Sequence, residues 1–397
     1  MLLTNCSSSE RFTSEEKFLI EEFKPATNNI RVLLDEKPSS INLIIRNKVA
    51  LLNENKKIAE INQGNNINFS ITSNLLSVKI GRKNFYGKYF QLTPIDGQVI
   101  AYNNKSFRGS LRIVDFGKFI DVINFVDLEN YLKGVIATEM PLGIGMENFE
   151  ALKAFTISAR TYAISKRGEG NILFDIFSDT RDQVYGGHTA EELITSKAVE
   201  QTSNMILFYD GEPARVYYHS TCGGVTENVE NVFPMSHTPY LTSVTDGNDP
   251  YCKISPRFSW EEEFTEKEII SRLYRAGSIN TNNNTLTDIK INSYFESGRV
   301  NDLEINLNGI NGSKAVHIYG NEIRSVLIIP DRNIPLWSTM FTMERKSNGN
   351  IIFKGKGFGH GVGLCQWGAI GQSRSGIGYT QILEHYYPGT EIGLIND

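Results

Sequence analysis

The chain has 397 residues, of which 40% are apolar and 21% charged, a globular composition that excludes a disordered or collagen-like chain. Lysine and arginine number 40 against 45 acidic residues, and the resulting formal net charge of −5 argues against nucleic acid as the main partner, because phosphate contacts call for a basic surface. No apolar run approaches the ~18 residues of a membrane helix, and four cysteines in this length do not make a disulfide scaffold.

The N-terminus reads Met1-Leu-Leu-Thr-Asn-Cys6-Ser-Ser-Ser. Leu3 before Cys6, with serines after it, looks like the end of a lipoprotein signal. However, Asn5 stands where a small residue is expected, and no charged or long apolar region precedes it. A lipid anchor at Cys6 and a plain flexible tail over 1–29 both stay open.

Short strands are expected at Ile30–Leu34, Ile41–Ile45, Val49–Leu52, Ile67–Ile71, Leu75–Ile80, Tyr89–Leu92 and Leu111–Val114, separated by polar turns such as Gly64-Asn65-Asn66. They suggest a β-rich accessory domain over 30–100. From Asp127 the period changes. Leu128, Tyr131, Leu132, Val135 and Ile136 recur at helical spacing, with Asp127 as N-cap and Pro141 as stop. Further helices are expected at about Phe149–Arg167, Ala190–Thr202, Thr265–Arg275 and Tyr379–Tyr386. Met205–Tyr209 and Ala214–His219 flank Asp210-Gly211 and read as a hairpin. Ile289–Ser293 and Val300–Leu307 read as another, around Ser297-Gly298-Arg299. The expected class is α+β: the β-rich portion, then a mixed helix/strand domain over 101–397 with a hairpin-rich insert at about 260–345 and a cleft lined by the helices at 127–139 and 149–167.

Glu139 follows Ile136 by three residues and Val135 by four, so it shares the apolar face of its helix. In the last turn, burial and the negative end of the helix dipole both raise a carboxyl pKa, which suits a general acid. Pairing with a nearby cation is the bland alternative. Lys153 and Arg160 lie seven residues apart on one helix face, roughly 10 Å along its axis. They read as an anion-holding pair or as a solvated face. Gly355-Lys-Gly-Phe-Gly-His360-Gly-Val-Gly363 carries five glycines in nine residues, which makes His360 a site candidate. It lacks the Gly-Lys-Ser/Thr ending of a phosphate loop. His219-Ser-Thr-Cys222 invites a zinc reading with Cys252 and His237, although only one tight ligand pair exists. Gly-x-Ser-x-Gly is absent.

Six segments together resemble a known family. They are Tyr131-Leu-Lys-Gly-Val-Ile-Ala-Thr-Glu139-Met-Pro141, Ala151-Leu-Lys-Ala with Ala159-Arg-Thr-Tyr-Ala163, Asp182-Gln-Val-Tyr185, His219-Ser-Thr-Cys-Gly-Gly224, Gly357-Phe-Gly-His-Gly-Val-Gly363 and His385-Tyr-Tyr-Pro-Gly-Thr390. Over about 95–392 the chain is similar to the stage II sporulation protein D (SpoIID) and LytB amidase-enhancer family. The resemblance implies an exported, cell-wall-side protein whose domain 101–397 is catalytic: a lytic transglycosylase that cleaves peptidoglycan without water. It implies Glu139 as the catalytic acid, and Lys153, Arg160, Gln183, Tyr185, His219, His360 and Gln366 as substrate-binding residues. Phe155 stands where the family usually has Gln, and Cys365-Gln366-Trp367 where it has Ser-Gln-Tyr. Cys222 replaces a frequent Ser, and in an exported protein a Cys222–Cys252 disulfide is the expectation. No cofactor is required. Some relatives bind zinc near this loop, and His219, Cys222 and Cys252 are the candidate zinc set in this chain. Two other functions compete: a non-catalytic enhancer of a cell-wall amidase, and a zinc-dependent hydrolase.

Overall fold

The computed structural model describes residues 28–72, 75–95, 97–115, 119–169, 172–310 and 312–395. Cys6 and its flanking tail lie outside them. The fold is α+β, and the chain divides into two units. The first comprises residues 1–142, 159–206 and 394–397; the second comprises 143–158 and 207–393.

The first unit is a sandwich of two sheets. One has seven strands, and Asn29–Glu36, Ile120–Asp127 and Ser110–Asp115 are neighbours in its middle. The other has four, formed by Ser40–Ile44, Asn66–Thr72, Leu75–Ile80 and Lys83–Gly87. Alternation decides which face is buried: Ile41 and Leu43 are buried, as are Ile67 and Phe69, while the residues between them face outward. Phe69 meets Phe90 of the larger sheet at 5.9 Å. The expected break near residue 100 is not a boundary, because Leu111–Val114 pairs with Tyr89–Leu92. Strands on both sides of residue 100 therefore share one hydrogen-bonded ladder.

Helix α1 (Leu128–Glu139) starts where the sequence places it, with the Asp127 carboxylate accepting from Asn130 N–H. Helix α2 (Phe149–Ser165) ends two residues early, and the partition between the units falls inside it, after Ser158. The expected helix over Ala190–Thr202 is a single 3-10 turn, His188–Ala190, followed by helix α3 (Leu193–Gln201). Across Asp210-Gly211, both at positive φ, the hairpin partner of Met205–Tyr209 is the two-residue strand Glu212–Pro213, and Glu391–Leu394 pairs on its other edge. Tyr218–His219, expected in that hairpin, instead runs parallel to Leu364–Cys365.

In the second unit the expected 289–307 hairpin extends to Asn284–Tyr294 and Val300–Gly309, with Gly312–Tyr319 as a third antiparallel strand. Leu303, Ile305, Phe264, Ile269, Phe341 and Phe353 belong to one core cluster drawn wholly from residues 260–353. A helix absent from the sequence reading, Gln366–Arg374, follows the glycine-rich run.

Candidate active site and cysteine cluster

In the first unit, five residues of α1 bury their apolar side chains while Glu139, in the last turn, is half-buried. Its Oε1 accepts the backbone N–H of Val184 at 2.7 Å. The 182–187 loop is fastened to the same helix at three more points. Thr138 Oγ1 donates to the Val184 carbonyl at 2.6 Å, Tyr131 OH donates to Gln183 Oε1 at 3.0 Å, and Gly186 N–H donates to the Gly134 carbonyl at 3.2 Å. A Cβ on Gly134 would come within 2.6 Å of the Gly187 carbonyl oxygen, so the close approach requires glycine there. Gln183 and Tyr185 are buried: Gln183 donates to the Ala159 carbonyl, and Tyr185 OH donates to Asn124. Both residues hold the loop rather than face solvent.

Arg160, expected to meet an anion, is fully buried. Its Nε and Nη2 form a two-pronged pair with Glu129 of α1, each at 2.7 Å, and Nη1 donates to the Met205 carbonyl. The seven-residue spacing does not give Lys153 the same surroundings. In the second unit, Lys153 pairs with Glu150 at 2.6 Å and lies over the Tyr379 ring.

The glycine-rich run also lies in the second unit. Gly361 and Gly363 sit at positive φ, and a Cβ on Gly363 would meet the Tyr217 carbonyl at 2.1 Å. His360 Nε2–H donates to the Tyr218 carbonyl, while Val362 N–H donates to its Nδ1, so the ring is neutral with its proton on Nε2. Burial and the nearby Arg324 hold its pKa down at about 3. His219, at 5.6 Å from the His360 ring, is buried, and its Nδ1–H donates to the Val362 carbonyl. Burial, then His360 and Arg299, push its pKa well below the usual imidazole range. Gln366 is buried at the start of its helix.

The expected Cys222–Cys252 disulfide is absent: the two Sγ atoms are 3.4 Å apart, well beyond a sulfur–sulfur bond of ~2.05 Å. The expected zinc set changes too, since His219 takes no part. Cys222, Asp246, Cys252 and Cys365, all buried, bring one ligand atom each to within 4.8 Å of one another. Burial raises Asp246 to about 7. Sequence reasoning missed Asp246 and Cys365, because the pairing of 218–219 with 364–365 is what brings Cys365 there.

Two family models match. One, described as stage II sporulation protein, covers residues 117–209. The other, described as a domain of unknown function (DUF8618), covers 252–363. An uncharacterized protein of Brachyspira hyodysenteriae is 30% identical over 367 residues, 92% of this chain and 93% of that one. The amidase enhancer of Bacillus subtilis is 27% identical over 77% of this chain and 50% of its own length. Stage II sporulation protein D of Bacillus amyloliquefaciens is 31% identical over 284 residues, 67% of this chain and 74% of that one. With that degree of identity and coverage, and with the Glu139 helix and its loop inside the matched region, the chain belongs to the stage II sporulation protein D and amidase-enhancer family.

Proposed function

We propose that the protein is a peptidoglycan lytic transglycosylase acting in cell-wall remodelling on the outer side of the membrane. The observation that carries this reading is the Glu139 carboxyl, in the last turn of α1, oriented by the Val184 N–H. Glu139 protonates the glycosidic oxygen between N-acetylmuramic acid and N-acetylglucosamine. As a carboxylate it then takes the proton of the muramoyl C6 hydroxyl, whose oxygen closes onto C1. The product is a 1,6-anhydro end, and one carboxyl group serves both steps, where hydrolytic glycosidases normally use two. Arg160, Gln183 and Tyr185 act as positioning residues for Glu139 and its loop. Lys153 is the cation that meets a muramoyl or peptide carboxylate, exchanging its partner Glu150. His219, His360 and Gln366 shape the glycine-rich loop.

Purified protein incubated with glycan strands, followed by mass spectrometry of the released sugars, tests this. Anhydro products from the wild type and none from folded Glu139→Gln support it. Reducing ends would make the protein a hydrolase instead. The second reading, a non-catalytic activator of a wall amidase, is favoured by the similarity to the B. subtilis amidase enhancer. No sugar release, with stimulation of an added amidase, would establish that reading.

A further inference from the structure

We propose that Cys222, Asp246, Cys252 and Cys365 form a closed structural zinc site in the second unit. The four donors come from three separate parts of the sequence, Asp246 and Cys252 sharing one loop, and are all buried. In a tetrahedral zinc centre with Zn–S of ~2.3 Å, neighbouring sulfurs lie ~3.8 Å apart. Cys222 and Cys252 at 3.4 Å, within a group no wider than 4.8 Å, are close to that spacing and far from a bond.

Backbone amides point at the sulfurs. Cys222 N–H and Gly368 N–H both point at Cys365 Sγ, at 3.1 and 3.2 Å. Gly224 N–H points at Cys222 Sγ at 3.4 Å. A bound cation would convert the sulfurs to thiolates, which accept from the three amide donors aimed at Cys222 and Cys365 better than thiols do. Cys365 also caps the helix Gln366–Arg374, its Sγ accepting from Gly368 N–H. The carboxylate is oriented on both oxygens: Tyr386 OH donates to Oδ1 at 2.5 Å and Cys252 N–H to Oδ2 at 2.8 Å.

Charge supports the same conclusion. Three thiolates and one carboxylate around a dication leave a net charge of −2. The buried Arg299 guanidinium donates to the Cys222 carbonyl at 2.7 Å and feels all three sulfurs. A buried arginine beside that centre offsets part of the charge. A disulfide between Cys222 and Cys252 would leave Cys365, Asp246 and the donors of Gly368 around no charged partner. Soft sulfur ligands with one oxygen select zinc over calcium or magnesium, and four protein donors leave no open position. The site therefore ties three distant loops together and does no chemistry.

The test uses the full chain purified without chelator. Metal analysis should find one zinc per chain. Cobalt(II) exchanged for it should give the visible absorption of a tetrahedral thiolate centre. Asp246→Asn and Cys365→Ser should lose the metal, while His219→Ala keeps it. If the variants do not fold, the cobalt spectrum of the wild type decides. A chain that holds no stoichiometric metal and takes up no cobalt, whether its thiols are free or Cys222 and Cys252 are joined, overturns the proposal. Loss of metal from His219→Ala with retention in Cys365→Ser overturns the ligand set.

Discussion

Val184 N–H and Glu139 Oε1 are 2.7 Å apart, and the neighbouring Thr138 hydroxyl holds the carbonyl of the same Val184. The catalytic candidate is thus fixed to a loop by two adjacent residues of its own helix. Glu139→Asp shortens the side chain by one methylene and withdraws the carboxylate from that donor. Misplacement of a reacting group by about 1 Å can cost roughly 10²-fold. Turnover of glycan strands should fall by about that factor with the melting temperature unchanged. Wild-type turnover in Glu139→Asp would show that this contact does not set the geometry.

Gly134→Ala should disturb the same loop from the other side. Alanine is the better helix former, yet its methyl would stand 2.6 Å from the Gly187 carbonyl and 2.8 Å from the Tyr185 ring. Overpacking of this kind costs typically about 1–3 kcal/mol. Thermal melts should show a loss, where propensity alone would give a gain.

Arg160→Ala should be a stability variant. It leaves Glu129 without its two-pronged partner and removes the guanidinium donor to the Met205 carbonyl. Breaking a buried pair costs about 3 kcal/mol or more. The Lys153–Glu150 pair is more exposed, and Lys153→Ala should cost at most about 1 kcal/mol. Denaturant unfolding of both variants checks the difference. Equal small losses would return Arg160 to the role of a substrate contact.

Acid should destabilise the second unit. His360 stays neutral in the folded chain down to about pH 3, and His219 is also held well below its usual range. In the unfolded chain both take up a proton near pH 6.5. Below that pH the unfolded state binds more protons, so stability is present above about 6.5 and is lost as the pH falls towards the folded values. Melting temperatures measured from pH 7.5 to 4.5 should decline, and His360→Gln should decline less steeply. An equal slope in the variant would remove His360 from the account.

The sequence made α1 legible because its signals agree: an Asp127 cap, an apolar stripe and Pro141 as a stop. Tyr379–Tyr386 was equally readable. The helix Gln366–Arg374 was not, because Gly368 and Gly371 weaken its propensity and nearly all its faces are buried. Those glycines admit Tyr386 OH and the Tyr251 carbonyl, a reason found only in packing. The third strand, Gly312–Tyr319, hid because only Val316 and Ile318 point inward. Glu139 could be found from its place in the stripe, but its partner is a backbone N–H that carries no residue signature. Arg160 read as a partner for a substrate anion because its actual partner, Glu129, comes from another helix, 31 residues earlier.

The parallel pairing of Tyr218–His219 with Leu364–Cys365 also fixes an order of assembly. Cys222 and Cys365 are 143 residues apart. Cys365 also follows Cys252 by 113 residues, which at the usual pace of synthesis is roughly 6–23 s during which Cys222 and Cys252 are already made and Cys365 is not. Through that interval the two early thiols have only each other, and an oxidant would join them. Chains cut short before Leu364 would stay in that state, so the last tenth of the polypeptide determines how its middle is cross-linked.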